Sequence, residues 1–146
     1  MSDDCVVDAS VGIKLFVEEE FSVEADRLFN CLTATPPARF YVPDLFYLEC
    51  ANILWKYTRR FNYPAGNARQ DVRDLRALAL RTVSAADLLE PALELALAYD
   101  LTVYDAAYAA LAQQLGLPLI TVDETLWRKL SGSGITVRTL AALDEE

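Results

Sequence analysis

Residues 101–123 read LTVYDAAYAALAQQLGLPLITVD, and this stretch decides the fold. Its first part opens with Asp105 and is rich in alanine, the strongest helix former. A Gly-Leu-Pro sequence at 116–118 is typical of a helix end. Residues 119–122 are apolar or β-branched and predict a short buried strand that ends at Asp123. The stretch is therefore a helix followed by a strand, with an acid at the start of the first and the end of the second.

The same alternation of strands and helices extends through the rest of the chain. Short apolar runs predict strands at 5–7, 40–42 and 135–137, and helices are predicted between them, including 45–60 and about 68–80. Strands separated by helices are typical of a mainly parallel sheet that helices cover on both faces. Because 146 residues with 53% hydrophobic content can bury one core, and no long linker divides them, we expect a single α/β domain over 1–146.

Composition excludes several classes of protein and of catalytic site. No apolar run is long enough to span a membrane and the N-terminus lacks the basic flank of a signal peptide, so we expect a cytoplasmic protein. The absence of histidine excludes imidazole bases, histidine-containing triads and histidine-bound metals. The three cysteines lack CxxC spacing, and the glycines form neither a dinucleotide fingerprint nor a P-loop. Carboxylates, hydroxyls, lysine and arginine remain as possible reagents.

Four acids occupy positions where the predicted fold can gather them. Asp8 and Asp123 directly follow strands, and in parallel sheets the functional edge lies beyond the carboxyl ends of the strands. Asp105 opens the helix that precedes the strand ending at Asp123. Glu49 lies on the 45–60 helix, which is apolar on nearly every side and is expected to be largely buried, so its carboxylate requires a cation or hydrogen-bond donors.

Two interpretations of these acids stay open at this point. Asp8 and Asp123, taken singly, fit helix N-caps, and residues 102–105 fit a capping box. Acids that converge, in contrast, raise one another's pKa unless a cation lies between them. Ligation by oxygen alone favours Mg²⁺ or Mn²⁺.

Four blocks of the sequence, in this order, resemble the motifs of PIN-domain ribonucleases and especially of the VapC toxins. They are Asp8-Ala9-Ser10-Val11, Glu49 followed by Asn52, the run from Tyr104 to Ala112, and Leu119 to Asp123. The similarity extends from the first predicted strand to the last. Any one block is weak, but four in the right order at suitable separations are specific.

The resemblance implies a three-layer α/β/α sandwich, a homodimer that cleaves single-stranded RNA, and an antitoxin protein that blocks the site. Position by position, it implies that Asp8, Glu49, Asp105 and Asp123 are the catalytic and metal-binding acids, with Ser10, Asn52 and Thr121 as polar supports. Hydrolysis of a phosphodiester fits these residue types, because one or two Mg²⁺ ions can activate water and stabilise phosphoryl charge without histidine.

A basic segment interrupts an otherwise acidic chain whose net charge is −9. Between Lys56 and Arg81, seven basic residues occur with two acidic ones. This segment either guides the RNA backbone, binds a protein partner or is a solvated face. The residues assigned to RNA binding are Lys56, Arg59, Arg60, Arg69, Arg73 and Arg76.

Two other classes of protein place an acid after a first strand or keep these acids without catalysis. A phosphotransferase of the haloacid-dehalogenase type requires a second Asp two residues after the first, where this chain has Ser10. A receiver domain requires an acidic pair at that strand end, whereas Asp3 and Asp4 precede the strand. The remaining alternative is a PIN-like scaffold that binds RNA or protein without cleaving it.

Overall fold

A computed structural model describes residues 3–145, and within them one five-stranded sheet organises the chain. The strands are β1 Cys5–Val7, β2 Phe40–Pro43, β3 Arg81–Val83, β4 Leu119–Thr121 and β5 Val137–Thr139. The helices are α1 Ala9–Gly12, α2 Ser22–Asn30, α3 Leu45–Phe61, α4 Ala65–Ala77, α5 Leu89–Tyr99, α6 Val103–Leu115 and α7 Glu124–Lys129.

The sheet confirms the predicted α/β fold. Its order is β3-β2-β1-β4-β5, and each of the four strand pairings is parallel. Val6 in the central strand pairs with Tyr41 on one side and Leu119 on the other. Parallel neighbours place their carboxyl ends at the same edge, so the ends of β1 and β4 lie side by side. Helices flank this sheet in a three-layer α/β/α arrangement.

The alanine-rich helix α6 packs directly on the sheet. Residues 106–112 are all buried, and the helix contacts β1, β2 and β4. Small alanine side chains allow the helix axis to approach the strands closely, while Tyr108 and Leu111 fill the remaining core volume. Thr102 caps α6 by accepting a hydrogen bond from the Asp105 amide at 3.1 Å. The bond that the threonine of the predicted capping box should accept is therefore present.

Several predicted boundaries were wrong. Strand β3 was not predicted, because its residues are exposed or half-buried and lack an apolar run. This edge strand is defined by its pairing with β2. The last strand begins at Val137 instead of Ile135. Helix α4 begins earlier than predicted and ends at Ala77, since Leu78 adopts an extended backbone.

The prediction that α3 is largely buried was also wrong. Phe46, Cys50 and Leu54 face the core, but Leu48 is 77% exposed and Trp55 57% exposed. These two residues are seven apart and lie on one face of the helix. Hydrophobic content alone therefore overestimated the burial of α3, which presents an apolar outer face.

A buried ion pair fixes α3 against the segment that follows α1. Lys14 is 7% exposed, and its Nζ donates to Glu19 Oε1 at 2.9 Å and to the Glu20 carbonyl at 2.6 Å. Tyr57 of α3 donates its hydroxyl to the other oxygen of Glu19. The lysine is thus fully compensated, as a buried charge must be, and α3 is held where it carries Glu49 to the sheet edge.

Gly12 is required where α1 crosses α3, and we predict that Gly12→Ala destabilises the protein by about 1–3 kcal/mol. A Cβ at this position would lie 2.6 Å from Cζ of Phe46, whose ring is completely buried and cannot move freely. Chemical denaturation measures the loss. Gly66→Ala is the matched control, because its Cβ meets nothing within 4 Å and alanine favours the helix by about 0.5–1 kcal/mol. Equal stabilities of the two variants would contradict the predicted clash.

Within residues 3–145, every helix falls short of the length and apolar character that a membrane crossing requires.

Candidate active site

Asp8 lies at the centre of the site, directly after β1, and its carboxylate is held by two hydroxyls. Thr121 Oγ1 donates to Asp8 Oδ2 at 2.8 Å, and Ser10 Oγ donates to the same oxygen at 3.1 Å. Asp8 is 8% exposed and its side chain makes no capping bond to α1. Asp8 occupies the N-cap position of α1, and its carbonyl accepts from the amides of Val11 and Gly12. Its carboxylate, however, faces the hydroxyls at the sheet edge.

The same hydroxyls connect the ends of β1 and β4. Thr121 Oγ1 accepts from the Asp123 amide at 3.1 Å while it donates to Asp8. Ser10 Oγ accepts from the Val122 amide at 3.4 Å. Ser10 and Thr121 thus both reach Asp8, whereas Asn52 is exposed and its side chain makes no hydrogen bond within residues 3–145.

Glu49 approaches from α3 and finds its donor on α6. Tyr108 Oη donates to Glu49 Oε1 at 2.7 Å, and the tyrosine is 1% exposed. Burial of Glu49 predicted that its carboxylate needs a partner, but Tyr108 was not expected in that role. The position of Tyr108 could have indicated this partner. It follows Asp105 by three residues, so the two side chains lie on neighbouring faces of one helix.

Asp123 caps α7 and still has one oxygen that the cap does not use. Its Oδ1 accepts from the amides of Thr125 at 2.9 Å and Leu126 at 3.2 Å. The N-cap interpretation is therefore confirmed for this residue. Both capping bonds end on Oδ1, so Oδ2 remains available for another ligand.

Electrostatic effects show which acids are neighbours. Burial raises the pKa of Asp8, although the hydrogen bonds from Thr121 and Ser10 oppose the change. Burial also raises the pKa of Glu49. The hydrogen bond from Tyr108 lowers this pKa, whereas the charges of Asp8 and Asp105 raise it further.

Asp105 completes the set of interacting acids. Burial is the largest cause of its raised pKa, and the charges of Asp8 and Asp123 raise it further. A hydrogen bond with Thr102 and the charge of Lys129 oppose the rise. Asp8, Glu49 and Asp105 therefore repel one another, and Asp123 acts on Asp105.

The chemistry of this donor set fits a hard divalent cation. Asp8, Glu49 and Asp105 repel one another and Asp123 acts on Asp105, so a cation among these oxygen ligands would lower their electrostatic energy. Within residues 3–145, however, no three Asp, Glu or Cys side chains form a ready-made coordination cluster. The acids are thus neighbours at one edge and not a preformed ligand shell.

The six basic residues assigned to RNA binding are all exposed and lie on the second half of α3 and on α4. Two of them border apolar hollows. Arg69, with Trp55 and Val72, lines a groove of about 240 Å³ between α3 and α4. Arg76, with Tyr47 and Val72, lines an adjoining hollow of about 360 Å³. The basic segment is therefore combined with an apolar surface.

Comparison with known proteins gives the same fold and a curated relative. Residues 5–132 match the PIN domain family. Ribonuclease VapC3 of Pyrobaculum aerophilum is 39% identical over 126 residues, which cover 85% of this chain and 92% of that protein.

Solved structures agree at lower identity. PAE2754 from Pyrobaculum aerophilum superposes with a TM-score of 0.70 at 23% identity, covering 98% of this chain and 95% of that one. A toxin-antitoxin complex from Klebsiella pneumoniae has a TM-score of 0.65 at 23% identity, with 94% and 98% covered. VapBC2 from Rickettsia felis, bound to a DNA fragment from its promoter, has a TM-score of 0.62 at 11% identity, covering 92% of this chain and 96% of that one. The family match spans most of the chain and the relative covers nearly all of it, so this chain belongs to the PIN domain family.

Proposed function

We propose that the protein is a Mg²⁺- or Mn²⁺-dependent endoribonuclease that cleaves single-stranded RNA and is the toxin of a toxin–antitoxin pair. The relative named as a ribonuclease and the structural neighbours named as toxin–antitoxin complexes support this proposal. The observation that carries it is the arrangement around Asp8. A buried carboxylate held by Ser10 and Thr121 has Glu49 and Asp105 as electrostatic neighbours at one edge of the sheet.

The residues of the site have different roles, which follow from their contacts and burial. Asp8, Glu49, Asp105 and Asp123 would hold the divalent ion, which when bound stabilises phosphoryl charge and activates water. Ser10 and Thr121 orient Asp8, and Tyr108 orients Glu49. Glu49 and Asp105 are half-buried, so they remain accessible to water.

The test is cleavage of mixed single-stranded RNAs by the purified protein with Mg²⁺ or Mn²⁺, repeated with EDTA. We expect fragments only when the divalent ion is present. Binding of RNA without cleavage under every metal condition would overturn the ribonuclease proposal in favour of a scaffold. Covalent labelling of Asp8 by a phosphodonor would overturn it in favour of a phosphotransferase.

We also propose that the antitoxin binds the groove between α3 and α4. The groove is apolar at Trp55 and Val72 and basic at Arg69, which suits an amphipathic segment with acidic and apolar side chains. Leu48 extends the exposed apolar surface along α3. On this view the arginines of α4 serve the protein partner instead of the RNA.

The groove proposal predicts that Trp55→Ala weakens the complex with the antitoxin by at least about 10-fold, because a buried tryptophan is a common hot spot of interfaces. The partner is sought among small open reading frames that neighbour this gene, and its affinity is measured by calorimetry. Trp127→Ala is the matched control, since Trp127 is 50% exposed but lies on α7 outside the groove. Equal affinity of both variants would contradict this placement.

We further propose a cytoplasmic homodimer in which the whole chain acts as one domain. Leu89, Leu93 and Leu97 are exposed at four-residue spacing on α5 and form an apolar stripe that a second copy would cover. A twofold interface places the same stripe on both copies, so its apolar residues can face each other. Light scattering on the purified chain tests the mass against 16.3 kDa for one copy.

A further inference from the structure

An exposed aromatic ring lies at the edge of the site formed by Asp8, Glu49, Asp105 and Asp123, and we call this edge the rim. Tyr104 directly precedes Asp105 in the first turn of α6 and is 67% exposed. Within residues 3–145 its hydroxyl makes no hydrogen bond and its ring stacks on no other ring. An exposed tyrosine of this kind adds little to the packing of the core.

Tyr104 adjoins Asp105 in the chain and lies one helical turn from Tyr108, the residue that contacts Glu49. Tyr104 and Tyr108 are four residues apart and therefore lie on the same face of the helix. Tyr108 reaches Glu49 with its hydroxyl, so Tyr104 lies one turn closer to the start of α6 on that face. Side chains in helices point toward the N-terminus, which directs the Tyr104 ring toward the open edge of the site.

A cation borders the same rim. Lys129 donates its Nζ to the Asp100 carbonyl at 2.7 Å, just before α6 begins, and lies 3.7 Å from the Asp100 carboxylate. Its charge reaches Asp105. The rim thus combines an aromatic ring, a positive charge and the acids, which is the combination that a nucleotide requires for its base and its phosphate.

We propose that Tyr104 is a nucleobase subsite whose ring stacks on a base next to the scissile phosphate of single-stranded RNA. The inference rests on the proposed ribonuclease activity and identifies the residue that recognises unpaired RNA. A base within a duplex is already stacked on its neighbours, so its face is not available to a protein ring. Tyr104 therefore selects single strands over duplexes with little preference for sequence, because every base has an aromatic face.

The test measures binding of fluorescein-labelled RNA by anisotropy in EDTA, which keeps the RNA intact. The probes are one single-stranded octamer, a set of the same octamer with one abasic position each, and a hairpin whose strands are joined by a linker without bases, so that every base is paired. The proteins are wild type, Tyr104→Ala and Tyr104→Phe, and the cleavage rate of the unmodified octamer with Mg²⁺ is measured in parallel.

We expect Tyr104→Ala to bind the octamer about 10-fold more weakly and the hairpin equally well, and Tyr104→Phe to behave as wild type. For one abasic position, the wild type should bind the octamer about 10-fold more weakly than the intact octamer. Tyr104→Ala should bind that abasic octamer and the intact octamer equally well. Losses that add at every position, or an unchanged affinity, overturn the subsite while wild-type cleavage keeps the ribonuclease proposal intact. Absence of both binding and cleavage by the wild type overturns the proposed function and the subsite together.

Discussion

The Asp105→Asn variant is expected to cleave RNA at least about a thousandfold more slowly than the wild type, with its fold unchanged. The charges of both Asp8 and Asp123 act on Asp105, so its carboxylate is coupled to both acids that directly follow strands. An amide has no charge to hold a divalent ion and cannot accept a proton from water. Loss of a group that stabilises transition-state charge commonly costs about 10²–10³ in rate, and weaker ion binding adds to this loss.

The fold of this variant should persist because the Thr102 cap of α6 accepts from the backbone amide of Asp105, which asparagine also provides. Asp100→Asn is the matched control. Asp100 is an exposed acid in the left-handed region, which asparagine adopts readily, and it lies only five residues away. Initial rates at saturating Mg²⁺ measure the effect. Full activity of Asp105→Asn would contradict the assignment of this acid, and inactivity of Asp100→Asn would show a general disturbance of the α5–α6 turn.

The Asp8→Asn variant is expected to be more stable than the wild type at neutral pH in EDTA. The Asp8 carboxylate is buried, so the folded protein binds its proton more tightly than the unfolded chain does. The asparagine side chain carries no charge, and its oxygen can still accept the hydrogen bonds from Ser10 and Thr121. The substitution therefore removes the cost of a buried charge and keeps the contacts.

The pH dependence of this difference has a defined sign. Because the folded-state pKa of Asp8 is raised above 3.8, the stability linked to this group is fully present below pH 3.8 and is lost as the pH rises through the folded pKa. Wild type and variant share every other titrating residue. The stability advantage of Asp8→Asn should thus be small near pH 4 and grow toward pH 7.

Urea denaturation at several pH values in EDTA measures this advantage. Addition of Mg²⁺ supplies a second comparison, since an ion that binds only the folded wild type raises its stability and reduces the advantage of the variant. A variant that is less stable than the wild type at pH 7 would contradict the proposal that Asp8 carries an unfavourable buried charge. Such a stabilising but inactivating substitution is typical of sites that sacrifice stability for function.

The sequence by itself determined four of the five strands and the sheet edge that Asp8 and Asp123 follow. Regular alternation of short apolar strands with helices predicts parallel strands, and parallel strands bring their carboxyl ends to one edge. Asp8 and Asp123 were predicted there because each follows a strand directly, and β1 and β4 are indeed neighbours. The polar roles of Ser10 and Thr121 were implied by motif resemblance, and both hydroxyls reach Asp8.

Only the tertiary structure decided the contacts between residues that are distant in the chain. Tyr108 binds Glu49 across 59 positions, and β3 is a strand through its pairing with β2. The exposed face of α3 likewise depends on which of its sides meets the core. Local periodicity records which side chains share a face of one helix or strand, but not which other element covers that face, because that choice depends on the packing of the whole chain.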